Sequence, residues 1–180
     1  MIDQDTAESA LRAAGQLVAA GRNPDALELA RSAAARFGDD LPLLKFVAEL
    51  ARTHGDVPVA AHYYEALRRA APDYAPAYVE CALMLLQSRK ANEASEIINL
   101  AETRIPHDSR FLWVKAEIAG AQGKWSECAD CLEALRGLQP DAHWIYSRNI
   151  QALLHAECSD QAEALAIATS AASRRRGTSG

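Results

Sequence analysis

Aromatic residues are scarce in this chain. Phe, Trp and Tyr together make up 6% of it, while 49% of its residues are hydrophobic. A core with so few rings must be filled by alanine and aliphatic side chains, which suits helices packed on helices. No apolar run reaches the ~18 residues expected of a membrane-spanning helix, so no membrane insertion is expected. The opening residues, MIDQDTAES, have neither the basic n-region nor the apolar core of a secretory signal, and a cytoplasmic location is the default expectation. Four cysteines without a framework spacing read as reduced thiols. No stretch alternates like a strand, and no internal Gly/Ser-rich segment suggests a linker between domains.

Basic residues are also in the minority. The net charge is −5, and three of the 19 Lys and Arg are Arg174, Arg175 and Arg176, behind all 24 Asp and Glu. A body so acidic lacks the basic face of a nucleic-acid-binding protein, so nucleic acid is not an expected partner. The terminal arginines are compatible with the dipole at a helix C-terminus and need no ligand.

What the chain does have is a 34-residue period, clearest in APAYVECALMLLQSRKANEASEIINLAETRIPHD, residues 75–108. Pro76 suits a first helical turn, Tyr78, Cys81, Ala82, Leu85 and Leu86 recur at helical spacing, and Ser88, Arg89 and Lys90 interrupt them. A second helical run carries Ala94, Ile97, Ile98 and Ala101 and stops before Pro106. Shifting by 34 aligns Ala14, Ala48, Ala82 and Ala116, and also Ala26, Ala60, Ala94, Cys128 and Ala162. Gly38, Pro72, Pro106 and Pro140 form a column of breakers, and Gly21, Gly55 and Gly123 a column of turns. Larger residues fill further columns: Leu44, Tyr78, Leu112 and Tyr146 in one, Tyr64, Ile98 and Leu132 in another. Two paired helices approach closely only where the crossing point lacks bulk, so alanine recurs there.

This register resembles the tetratricopeptide repeat family, which pairs a small residue in each of two helices and commonly closes the unit with proline. The match is strongest over residues 41–142; Gly38 replaces proline in the first unit, and in the fifth Ile150, Glu157 and Arg174 replace the small residue, the glycine and the proline. The resemblance implies an all-α fold, a right-handed α-solenoid of antiparallel helix pairs. A lead of residues 1–6 is expected before a single domain, 7–176, made of units 7–40, 41–74, 75–108, 109–142 and 143–176, with a flexible tail at 177–180. Ten helices follow from this division. The last carries Ala164, Ile167, Ala168 and Ala171 on one face, apolar where a solenoid end is usually polar, which points to further chain, a second copy in a homo-oligomer, or a partner.

In this family the first helix of each pair lines the concave groove. Projected onto this sequence, the groove receives Lys45, Glu49 and Arg52, then Glu80, Leu83 and Gln87, then Arg110, Trp113 and Glu117, and finally Trp144, Ser147, Arg148 and Gln151. One subgroup grips a terminal carboxylate through lysine, asparagine and arginine. Lys45 and Arg110 fit its basic positions, but Glu49 and Glu80 stand where the asparagines belong and would repel such a ligand. Trp113 and Trp144 are the projected aromatic anchors, whereas Trp125, at the start of a second helix, reads as packing.

Cys128 and Cys131 form a CxxC, yet it lies within a helix, and Cys128 occupies the small-residue column. Cys158 and His155 stand at no recognised zinc spacing. Without a phosphate-cradling glycine loop or a nucleophile arrangement, neither a metal, a cofactor nor an enzymatic activity is expected. The leading expectation is a non-enzymatic scaffold that binds a peptide or helix of another protein in its groove. The partner-binding residues are Lys45, Glu49, Glu80, Leu83, Arg110, Trp113, Glu117, Trp144 and Arg148. The alternative is an N-terminal docking or oligomerisation region of a longer protein, for example a transferase-type enzyme.

Overall fold

A computed structural model describes residues 6–158, 160–167 and 169. Helices and short turns alternate along them: α1 (Ala7–Ala19), α2 (Asn23–Phe37), α3 (Leu41–Thr53), α4 (Val57–Ala70), α5 (Ala75–Gln87), α6 (Ala91–Arg104), α7 (Ser109–Ala121), α8 (Trp125–Leu138) and α9 (His143–His155). Residues 160–167 are helical again, and no strand occurs among the described residues. The lead before Thr6, Ala168, Ala171, Arg174 to Arg176 and the expected tail lie outside the described residues.

Local chemistry explains where the helices start. Thr6 caps α1 through a capping box with Ser9. The Asp40, Asp56 and Asp108 carboxylates accept backbone N–H bonds from Leu43, Val59 and Arg110 at the starts of α3, α4 and α7. Proline occupies the first turn of α2, α3 and α4, where its missing N–H costs nothing.

The turns explain the glycine column. Gly21, Gly55 and Gly123 each have φ +73°, a left-handed conformation that glycine adopts without a steric penalty. The two register positions without glycine adopt it as well: Arg89 and Glu157 both have φ +60°. The turn shape thus belongs to the repeat, and the side chain follows it.

The chain divides between Met84 and Leu85, inside α5, into two compact blocks. In the N-terminal block α1 packs on α2, α3 on α4, and α2 on α3. In the C-terminal block α6 packs on α7, α7 on α8, and α8 on α9. The alanine columns are buried as their register predicts: Ala14, Ala26, Ala48, Ala60, Ala82 and Ala94 fully, and Ala116 and Ala162 nearly so. Cys128 shares this environment, beside Ala129 and Leu132 in the core of the C-terminal block. Its thiol is raised above the usual cysteine range by burial.

A second periodicity, of two repeats, links the blocks by chemistry. The Tyr78 hydroxyl donates to the Pro72 carbonyl at 2.9 Å, and the Tyr146 hydroxyl donates to the Pro140 carbonyl at 3.0 Å. The Arg68 guanidinium lies 5.2 Å from the Tyr78 ring centre, and that of Arg136 5.5 Å from Tyr146. Each arginine pairs with a glutamate three residues earlier, Glu65 or Glu133. Tyrosine thereby occupies the carbonyl left exposed where proline ends the preceding helix.

Candidate functional site

In the N-terminal block, α3, α4 and α5 bring charged groups into one network. Tyr64 is buried on α4, and its hydroxyl donates to Glu49 Oε1 at 2.9 Å. Arg52 donates to Glu49 Oε2 at 2.8 Å and lies 3.7 Å from Glu80 Oε2. Burial, then Glu49, push the Tyr64 phenol upward, and desolvation raises Glu80 above the usual carboxylate range. The network therefore holds Tyr64 as a hydrogen-bond donor. Lys45 packs its ammonium 4.1 Å from the centre of the Tyr74 ring. Leu83 is half-buried on α5.

The C-terminal block presents different chemistry on the same helix type. Trp144, 47% exposed on α9, meets the half-buried Trp113 of α7 edge to face, with ring centres 4.9 Å apart. Arg148 lies over the Trp113 ring at 5.4 Å and forms an ion pair with Glu117. Four of the expected site residues, Trp113, Glu117, Trp144 and Arg148, thus form one cluster. Trp113 also packs against the core of the block, so it joins that core to the surface. Arg110 instead reaches back to Asp108, with Nε 2.8 Å from Oδ1 and a second nitrogen 2.5 Å from Oδ2. These bonds hold the Asp108 carboxyl below the usual range.

A pocket of about 370 Å³ opens beside this cluster, lined by residues of α7, α8 and α9. Its wall includes Trp125, whose ring stacks on that of His155 with centres 4.4 Å apart. Ala116, Gly120, Cys128, Leu132 and Ala152 also line it, together with Glu117 and Arg148. Two repeats earlier, Gly120, Leu132 and Ala152 correspond to Arg52, Tyr64 and Met84. Three large side chains of one block are thus replaced in the other by smaller residues that line the pocket. Reading the sequence for packing columns missed this pocket. The signal was present as Gly for Arg and Leu for Tyr at an offset of two repeats.

Cys128 and Cys131 both lie on α8, and burial raises both thiols above the usual cysteine range. Among the described residues no group of three or more His, Cys, Asp or Glu is arranged to hold a metal ion. No described helix is long and apolar enough to cross a membrane.

No protein-family model matches the sequence, and none of the curated proteins does. Solved structures do match. MamA 41-end from Desulfovibrio magneticus RS-1 aligns with a TM-score of 0.81 at 13% identity, covering 96% of this chain and 97% of that one. The thermophilic TPR protein TTC0263 of Thermus thermophilus aligns at 0.66 with 20% identity, over 91% of this chain and 90% of its own. The fold is that of the tetratricopeptide-repeat proteins. YrrB, a TPR protein with an unusual peptide-binding site, shares this fold at a TM-score of 0.71 and 12% identity, over 91% of this chain and 84% of its own. At these identities the tetratricopeptide-repeat likeness is one of fold, and the side chains of each surface are this chain's own.

Proposed function

We propose that this chain is a non-enzymatic protein-interaction scaffold, which holds a peptide or helix of a partner protein against the first helices of its repeats. The observation that carries this reading is the Trp113–Trp144 pair with Arg148 and Glu117 at its edge. An exposed aromatic held by a second ring offers a large contact area at little entropic cost, and such residues dominate binding energies. The flanking ion pair supplies register and selectivity more than affinity. The peptide-binding site of YrrB supports the reading, since it shows a protein of this fold serving that purpose. In the N-terminal block Lys45, Glu49, Glu80 and Leu83, and in the C-terminal block Arg110 at the start of α7, are the further partner-binding residues of this scaffold.

The test is an affinity capture with wild-type protein and the Trp144→Ala/Arg148→Glu variant as parallel baits. A protein retained specifically by the wild type and lost from the variant supports the reading. Retention of the same proteins by both baits contradicts it. The apolar face expected on the last helix is exposed at Ala164 and Ile167, and it is compatible with a second copy or further partner chain.

A further inference from the structure

The pocket of the C-terminal block has the size and wall chemistry of a receptor for one particular kind of side chain. At about 370 Å³ it is more than twice the ~150 Å³ of an apolar cavity that accepts benzene. A single ring or a branched aliphatic group would leave much of it empty and forgo the corresponding dispersion contacts. A bicyclic aromatic group fits the space better. The aromatic rings of Trp125 and His155, stacked on each other, form part of the pocket's wall, and Leu132 and Ala152 add apolar lining.

Charge narrows the choice further. The two formal charges on the boundary, Glu117 and Arg148, are paired with each other, and Arg148 also lies over Trp113. An anionic ligand would face Glu117 and a cationic one Arg148, and either would have to compete with the existing ion pair. We propose that this pocket seats one tryptophan side chain of a partner protein, neutral and bicyclic, beside the exposed Trp113–Trp144 surface. This rests on the scaffold reading above and names the anchor that such a partner contributes.

The register explains why the pocket belongs to this block. Gly120 stands where Arg52 stands two repeats earlier, and a Cβ added at Gly120 would meet Trp125 at 3.5 Å and Cys128 at 3.9 Å. Those are ordinary contact distances, so alanine is accommodated there, and a longer side chain would extend into the pocket.

The experiment uses N-acetyltryptophanamide, a neutral tryptophan carrying both peptide bonds, titrated into the full chain and followed by amide chemical shifts. Saturable binding is expected, with shifts centred on Gly120, Cys128, Gln151 and His155. Gly120→Leu should weaken it by about tenfold or more, equivalent to ~1.4 kcal/mol. Gly120→Ala, which keeps the fold, should weaken it by about threefold, as one added methyl group removes part of the space. Tryptamine and indole-3-acetate should bind more weakly than the neutral probe. The proposal is overturned if N-acetyltryptophanamide does not saturate, if folded Gly120→Ala and Gly120→Leu both match the wild type, or if a charged analogue binds more tightly than the neutral one. Failure here leaves the scaffold reading standing, because that reading is tested by captured partners and the Trp144 surface.

Discussion

The N-terminal and C-terminal blocks use the same crossing-point residues and put opposite chemistry on top of them. Ala48 and Ala60 in one, Ala116 and Cys128 in the other, let the paired helices approach. At the next positions outward, Arg52 and Tyr64 close around Glu49, while Gly120 and Leu132 leave a pocket beside Glu117. Glu80 in the first block becomes Arg148 in the second, so a second carboxylate near Arg52 is exchanged for a cation that pairs with Glu117 and covers Trp113. Columns that repeat maintain the fold, and columns that break the repeat distinguish the surfaces.

The largest expected effect tests the shared part. Ala60→Leu and Ala94→Leu, one in each block, should each destabilise by ~1–3 kcal/mol through overpacking, since both alanines are fully buried. Similar losses in denaturant titrations would uphold a common scaffold. A loss at Ala60 with none at Ala94 would show that the two blocks are built differently.

The next effect concerns the turns. A non-glycine residue in the left-handed region costs ~1–2 kcal/mol, and glycine gives back part of that through its freer unfolded chain. Arg89→Gly and Glu157→Gly should therefore each raise stability by ~0.5–1 kcal/mol, whereas Gly55→Ala should lower it. Thermal melts of the three variants check the signs. A fall in melting temperature for Arg89→Gly would mean that its side chain contributes more than its backbone conformation costs.

The smallest effect separates the blocks by titration. The Arg136 hydrogen bond first, then the charge of Arg136 and the Asn149 bond, hold Glu133 below the usual glutamate range. That stabilisation is complete above the unfolded pKa and is lost as the pH falls through the folded one. Glu80 shifts the other way, because burial opposes its charge more than Arg52 favours it. Its ionised form opposes folding, and the penalty is relieved as the pH falls through its folded pKa. Carboxyl carbon NMR should find Glu80 titrating above the ordinary value and Glu133 below it. The reverse order would remove the contrast between the two networks.

Most of the fold was legible because its determinants repeat. The limits of α4 and α8 follow directly from Asp56 and Gly55 on one side and from Gly123 and Pro140 on the other. The buried alanines could be named from their register alone. The site was legible only in part. Projection put Trp113 and Trp144 on one face, but the contact between their rings depends on how α9 lies on its neighbours. Trp125 reads as packing, and that is half of its role; the other half, as a wall of the pocket, requires His155 from the next repeat. Arg110 reads as a groove cation, but the nearby Asp108 engages it at the start of its own helix. Spacing gives the face of a helix, and competition among neighbouring charges then decides what a side chain on that face does.

The central claim is that the aromatic surface of the C-terminal block binds the partner, and Trp144 tests it more cleanly than Trp113, which is also part of the core. The decisive measurement is a titration of the captured partner against wild type and Trp144→Ala, with both proteins melted in parallel. The account predicts that binding weakens by ~2 kcal/mol or more, as for an aromatic hot spot, while the melting temperature stays where it was. Unchanged affinity in a folded Trp144→Ala protein would contradict it.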